Sequence, residues 1–196
     1  RQIGKDRQVT LVWWIPVEFW EVSVAKGSGT TEVEAGSAIV EALRPYILLG
    51  IVKADISRLG GFTYVSREAI RDGLRVRYTA AGKEAIPLVS VEADDPDLDI
   101  VLGGLRPVLV NAIGPMGQNM HFFTLTDSAE DGVTPISPYE PGQMLVELKG
   151  VGDGGPDRVM IDTPMDSLFV PRECPGGKVA HISWKVCPWD GTPLKP

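Results

Sequence analysis

Residues 74–91, LRVRYTAAGKEAIPLVSV, contain the clearest strand signal in the chain. The first six residues alternate between apolar and polar or charged side chains, which predicts a strand with Leu74, Val76 and Tyr78 facing inward. The loop AAGKE follows and leads into a second apolar run, so the two runs are predicted to pair as an antiparallel hairpin. Pro87 cannot donate a ladder hydrogen bond and is therefore expected at an edge or a bulge.

Other segments extend this hairpin into a larger sheet. The run YILLGIVKADI at 46–56 is apolar on both faces until Lys53 and Asp55, which predicts a central strand whose far end reaches solvent. Shorter runs predict additional strands at 9–15, 119–126, 144–148 and 158–162.

Three segments have helix signals. Thr31 and Glu34 form a capping-box pattern before a periodic apolar stripe, which predicts a helix over 31–44. The acidic residues before and after Pro96 predict a second helix start, and Pro107 is expected to break or kink that helix. The segment that begins at Pro16 suits either a helix ending near Lys26 or a continued strand.

These elements together predict an α+β fold with a mostly antiparallel sheet, two or three covering helices and a small C-terminal hairpin. We expect a main domain over 1–170 and a hairpin appendage, packed on it, over 171–196. No periodic pattern is found over 127–143, which predicts either a surface excursion or a domain boundary.

The composition excludes some classes of partner. The net charge is −7, so a nucleic acid backbone would be repelled on average, and the arginines at 67, 71, 75 and 77 are interpreted as a solvated surface. No run approaches the roughly 20 apolar residues of a spanning helix. The chain begins with Arg1 rather than Met, which favours a processed and exported protein, periplasmic or extracellular.

Catalytic and metal-binding motifs are absent or incomplete. The sequence has no nucleophile elbow, phosphate-binding loop or H-E-x-x-H motif. The acidic run over 92–99 lacks the glycine and the terminal glutamate of a calcium loop, so it is interpreted as a helix start. His121, one of two histidines, is the one candidate catalytic residue, for an enzyme whose site is assembled only in the fold.

The five tryptophans form two groups, one near each end of the chain. Trp13 and Trp184 are predicted to be core residues because they lie on apolar faces of the strands predicted over 9–15 and 178–186. Trp14, Trp20 and Trp189 are candidate binding residues.

The segment RECPGGKVAHISWKVCPWDGTPLKP at 172–196 contains both cysteines, Cys174 and Cys187, each followed by proline. It resembles a short zinc ribbon, a family that carries CPxCG twice. Gly177 and Asp190 stand where the second cysteine of each turn would be, so half of the usual zinc ligands are missing.

Three interpretations of these cysteines remain. A disulfide between Cys174 and Cys187 is the principal prediction, because matching turns would place the two side chains at the tips of one hairpin. The alternatives are a zinc site of Cys174, His181, Cys187 and Asp190, and two free thiols.

The sequence thus favours a non-catalytic binding or assembly domain without a cofactor, whose partner is a protein or a small ligand. The alternatives are an enzyme around His121 and a zinc-stabilised intracellular interaction module.

Overall fold

The computed structural model describes residues 7–19, 40–41, 43–91, 96–127, 136–150, 155–168, 172–181 and 184–194. The helices whose bounds lie within these residues are α1 Arg67–Gly73, α2 Pro96–Ile113, α3 Pro115–Gln118 and a 3-10 turn at Asp166–Leu168. The strands are β1 Arg7–Ile15, β2 Ile47–Ile56, β3 Phe62–Tyr64, β4 Arg75–Ala80, β5 Ile86–Val91, β6 His121–Asp127, β7 Gly142–Leu148, β8 Asp157–Thr163, β9 Arg172–Glu173 and β10 Val179–Ala180.

Strands β1 to β8 form one antiparallel sheet, which confirms the predicted mostly antiparallel architecture. The order is β1-β2-β6-β5-β4-β7-β8, and β3 pairs with the end of β2 that β6 does not reach. The sheet curves into a nearly closed barrel, whose first and last strands meet where Thr10 donates a hydrogen bond to Asp157. Because β7 and β8 belong to this sheet, the 127–143 segment is not a domain boundary.

The concave face of the sheet encloses the larger of the two apolar clusters that the sheet builds, here called the barrel interior. The inward positions of the 74–79 strand are confirmed, since Leu74, Val76 and Tyr78 are all buried there. Helix α1 contributes Ile70 to the same cluster. Alternation along each strand therefore directs one row of side chains inward, as the pleat requires.

The second cluster lies on the convex face of β1, β2 and β6, under α2 and α3. Leu48 and Phe122 face outward from the sheet and pack with Leu98 and Leu109 of α2. Trp13 packs against this cluster partly buried, in agreement with its predicted core role. The central strand β2 is thus covered on both faces, as its unbroken apolar sequence indicates.

Two prolines, Pro107 and Pro87, lie inside regular elements. Helix α2 continues through Pro107, so the predicted break is wrong, whereas the alternative, a kink, stays a prediction. The carbonyl four residues earlier belongs to Gly103, which is exposed and can turn that oxygen toward water. Pro87 pairs with Arg77 of β4, whereas the pairing of β5 with β6 begins only at Leu88, so Pro87 lies where β5 has one neighbour.

The predicted exposure of Lys53 is wrong. The sequence predicts that this residue lies near solvent at the end of β2, but its side chain is only 2% exposed. Its position faces the barrel interior, where Asp157 of β8 is its ionic partner.

Part of the helix predictions falls outside the described residues. Residues 40, 41 and 43 are helical and the Arg44 N–H donates to the Val40 carbonyl, so a helix ends before Pro45 as predicted. The predicted cap at Thr31 lies outside the described residues. Residues 17–19 are also helical, which favours the helix over the strand at that point, and Lys26 again lies outside.

Candidate functional site

The C-terminal segment over 172–194, here called the tail, is built from two similar turns. In the first, the Cys174 N–H donates to the Lys178 carbonyl at 2.8 Å and the Gly177 N–H donates to the Cys174 carbonyl at 2.9 Å. In the second, the Cys187 N–H donates to the Thr192 carbonyl and the Gly191 N–H to the Cys187 carbonyl, both at 2.8 Å. Both glycines have positive φ, 74° and 71°, a conformation that other residues adopt only at a cost.

The two turns bring the cysteine side chains together in a small core of their own. Cys174 and Cys187 are buried with Ala180, and Leu194 packs against them. The two sulfur atoms are not bonded to each other in this structure. Burial, a hydrogen bond with Cys187 and the negative charges of Cys187 and Asp190 together raise the pKa of Cys174 to about 11, and burial is the largest of these effects. The disulfide stays a prediction, for which the turns supply the required proximity.

The other candidate zinc ligands have different partners. Asp190 accepts hydrogen bonds from the Thr192 N–H at 2.9 Å and from the Cys187 thiol, and the Thr192 contact is the largest cause of its lowered pKa. The His181 ring lies 6.1 Å from the Trp184 ring. Within the described ranges, no three His, Cys, Asp or Glu side chains are placed to hold a metal ion.

The tail also carries two exposed aromatic rings that lie next to each other. Trp184 is 39% exposed and Trp189 is 52% exposed, and their rings meet edge to face with centroids 5.9 Å apart. The Lys178 ammonium lies 4.9 Å from the Trp189 ring, within cation–π range. Val179 and Val186 are exposed beside them in sequence. Trp184, Trp189 and Lys178, whose contacts join them, are here called the tail aromatic surface.

The predicted core role of Trp184 is therefore wrong. That prediction assumed one strand over 178–186, in which alternate residues share a face. The described strand is only Val179–Ala180, and the Trp184 N–H donates to the His181 carbonyl. The strand period cannot place a side chain beyond the end of the strand.

The three tryptophans predicted as candidate binding residues, Trp14, Trp20 and Trp189, have different outcomes. Trp14 is buried in the barrel interior, so it is a core residue and does not form part of an exposed binding platform. Trp20 lies outside the described residues. Trp189 is the one of the three that the structure places at the surface.

His121 lies at the start of β6, half-buried, opposite Ile51 of β2. Burial is the main cause of its lowered pKa, and the charges of Arg106 and Arg67 act in the same direction. A hydrogen bond to the Val65 carbonyl and the charge of Glu68 oppose this shift only in part. The ring therefore stays neutral at neutral pH and donates to a backbone oxygen, which is how a structural histidine is commonly satisfied.

A polar cluster that the sequence did not indicate closes the barrel. The Lys53 ammonium lies 2.8 Å from Asp157 Oδ2 and donates to the Lys149 carbonyl at 2.7 Å. The Thr10 hydroxyl donates to the same Asp157 oxygen at 2.8 Å. Burial raises the pKa of Asp157, but the hydrogen bonds from Lys53 and Thr10 and the charge of Lys53 outweigh it and leave the pKa lowered. The sequence does not indicate that Lys53 is buried, because a buried lysine and an exposed lysine are the same letter in a sequence.

The strand arginine Arg77 has an acidic neighbour rather than forming an open basic patch. Arg77 and Arg158 both bind the carboxylate of Glu147, at 2.9 and 2.8 Å. The helix arginine Arg67 lies over the ring of Phe123, 5.5 Å from its centroid.

Comparisons with protein-family models, with curated proteins and with solved structures found no match to this chain. In the part of the chain that the structure describes, no helix is both long enough and apolar enough to cross a membrane.

Proposed function

We propose that this chain is a non-catalytic binding domain whose tail aromatic surface contacts an acidic segment of a partner protein. The observation that carries the proposal is the exposure of Trp184 and Trp189 side by side in a tail with its own small core. Tryptophan is the residue most enriched among those that dominate binding energy, and two adjacent rings form a compact anchor.

Charge supports an acidic partner. The 171–196 segment contains four basic and two acidic residues, although the whole chain carries a net charge of −7. Lys178 lies directly on the Trp189 ring, so a cation is fixed beside the exposed apolar area. A partner segment with carboxylates next to an apolar side chain would complement both features.

The enzyme alternative has less support. A catalytic His121 would need a partner that holds or accepts a proton. Its hydrogen bond goes instead to the Val65 carbonyl, and two arginines disfavour its protonated form.

The proposal also includes a location. We propose that the protein acts in an oxidising compartment, because the predicted disulfide would persist there.

The proposal is tested by selecting peptides from a random display library on the full chain. We expect the selected peptides to combine Asp or Glu with apolar residues. Replacing both tryptophans, Trp184→Ala with Trp189→Ala, should weaken their binding about tenfold or more in fluorescence polarisation.

The matched control is Met160→Ala, which removes an exposed apolar side chain from β8, away from the tail. This variant should bind the selected peptides as the parent chain does. Peptides that bind the double tryptophan variant with unchanged affinity would contradict the proposed surface.

A further inference from the structure

A small pocket of about 100 Å³ opens beside the β4–β5 hairpin, away from the tail and from His121. Its apolar wall includes Ile86, Ile136 and the ring of Tyr78, and its charged lining consists of Lys83, Glu84 and Glu140. Tyr78 is 5% exposed and Ile136 is partly buried, whereas the three charged residues are exposed. The pocket therefore has an apolar floor and a charged rim, which is the usual construction of a small-ligand site.

The pocket walls are fixed by contacts on both sides. The Ala81 N–H donates to the Pro141 carbonyl at 3.0 Å, which ties the hairpin turn to the segment before β7. The Met165 N–H donates to the carbonyl of Pro138, a fully buried residue, and so ties that segment to the end of β8. The pocket consequently exists before a ligand arrives, so that binding costs little ordering of the protein.

Gly142 gives the phenol of Tyr78 its position. A Cβ at residue 142 would collide with the Tyr78 hydroxyl, so only glycine lets the ring lie across the start of β7. The Tyr78 ring thus forms a rigid part of the pocket wall.

The volume limits the ligand to a short chain. An apolar cavity of about 150 Å³ accommodates benzene, and this pocket is smaller. Four or five carbon atoms in a row would fill it, with one end at the rim.

The rim charges select the end group. Two carboxylates, Glu84 and Glu140, oppose one ammonium, Lys83, and the chain as a whole is acidic. A carboxylate or phosphate ligand would be repelled, whereas a primary ammonium can donate to the carboxylates. We infer that this pocket binds a short primary alkylammonium group, with its alkyl chain against Ile86, Ile136 and Tyr78 and its ammonium at Glu84 and Glu140.

Such a group could come from a free amine or from a lysine side chain of another protein. The test therefore titrates isotopically labelled full chain with n-butylammonium, and separately with lysine capped at both backbone ends, while amide chemical shifts are recorded. We expect n-butylammonium to shift the amides of 81–86 and 136–140. A capped lysine that binds as well identifies a protein side chain as a possible source, and one that does not restricts the site to free amines.

The neutral and anionic analogues test the role of charge. At matched ionic strength, 1-butanol and butyrate should bind at least about fivefold more weakly than n-butylammonium. Equal binding of 1-butanol, or no shift in the pocket amides with n-butylammonium, would overturn the inference.

The variant pair Glu84→Gln with Glu140→Gln should weaken n-butylammonium binding about tenfold. Both side chains are exposed, so the substitutions leave the core intact. The control is Asp162→Asn, which removes an exposed carboxylate from β8 and should leave the affinity unchanged. An unchanged affinity in the double glutamine variant would contradict the assigned role of the rim.

Discussion

At the scale of single residues, the Lys53–Asp157 pair joins the central strand β2 to β8 at the closure of the barrel. Lys53 lies in the central strand and is 2% exposed, whereas the side chain of Asp157 is 29% exposed. The two partners are therefore not equivalent. Loss of Asp157 would leave a buried ammonium with only the Lys149 carbonyl and no opposite charge, whereas loss of Lys53 would leave a carboxylate that water can still reach.

We expect Asp157→Ala to lower the free energy of unfolding by about 3 kcal/mol, because it removes one partner of a buried ion pair. Lys53→Met keeps most of the side-chain volume and should cost about 1 kcal/mol or less. Urea denaturation of both variants measures this asymmetry. Asp162→Ala, on the exposed side of the same strand, is the control and should change stability little. A larger loss for Lys53→Met than for Asp157→Ala would show that the buried charge does not dominate.

The same pair predicts a pH dependence. The pKa of Asp157 in the folded chain lies below its ordinary value of 3.8, so its contribution to stability is complete above that value. As the pH falls below about 3.8 and through the folded pKa, protonation of Asp157 removes this contribution. The difference in unfolding free energy between the parent chain and Asp157→Ala should therefore shrink as the pH falls from about 3.8 through the folded pKa. A constant difference over this range would contradict the lowered pKa, since the other carboxylates titrate in both proteins.

At the scale of elements, the sequence predicts the strands well where alternation is continuous. The strand at 75–80 and its inward side chains follow from a period of two, and the apolar run of β2 correctly indicates burial on both faces. The predictions fail where the regular element ends. Trp184 lies beyond the two-residue strand Val179–Ala180, and α2 continues through Pro107, whose partner carbonyl at Gly103 is on the exposed side of the helix. Both outcomes depend on local geometry that the apolar pattern does not encode.

Two glycines of the α2–α3 region test how elements pack. A Cβ at Gly117 of α3 would collide with the Leu109 carbonyl of α2, whereas Gly104 of α2 has open space around it. Gly117→Ala should therefore lower the unfolding free energy by about 2 kcal/mol through overpacking. Gly104→Ala should raise it by about 1 kcal/mol, because alanine favours a helix interior more than glycine does. Thermal or urea denaturation measures both changes, and equal effects of the two substitutions would contradict this close approach.

At the scale of the whole molecule, closure of the barrel depends on residues far apart in the sequence. Thr10 and Asp157 are 147 positions apart, yet their hydrogen bond joins the first strand to the last. Nothing in either local segment indicates this contact, which is why the sequence predicts the sheet but not its curvature.

The candidate site could also be predicted only in part. The Cys-Pro turns are visible in the sequence, whereas the pairing of Trp184 with Trp189 depends on how the turns bring the rings together.

The predicted disulfide and the proposed binding surface are linked, because the turns that would hold the disulfide also hold the tail aromatic surface. If Cys174 and Cys187 are bonded, the closed loop should stabilise the tail by roughly 3 kcal/mol and keep the two tryptophans together. The raised pKa of Cys174, about 11, means that a free thiol would react slowly in the folded chain at neutral pH. Absence of alkylation under native conditions would therefore not distinguish a disulfide from a protected thiol.

The decisive measurement is the mass of the chain after alkylation in denaturant, with and without prior reduction. We expect no alkyl groups without reduction and two after it, and the reduced sample is the control for reagent access. Two additions to the unfolded, unreduced chain would contradict the disulfide. If the bond is present, reduction should also weaken binding of the selected peptides, since the tryptophans would lose the loop that positions them. If reduction leaves peptide binding unchanged, the hydrogen bonds of the turns and the small core are sufficient to hold the two tryptophans in place.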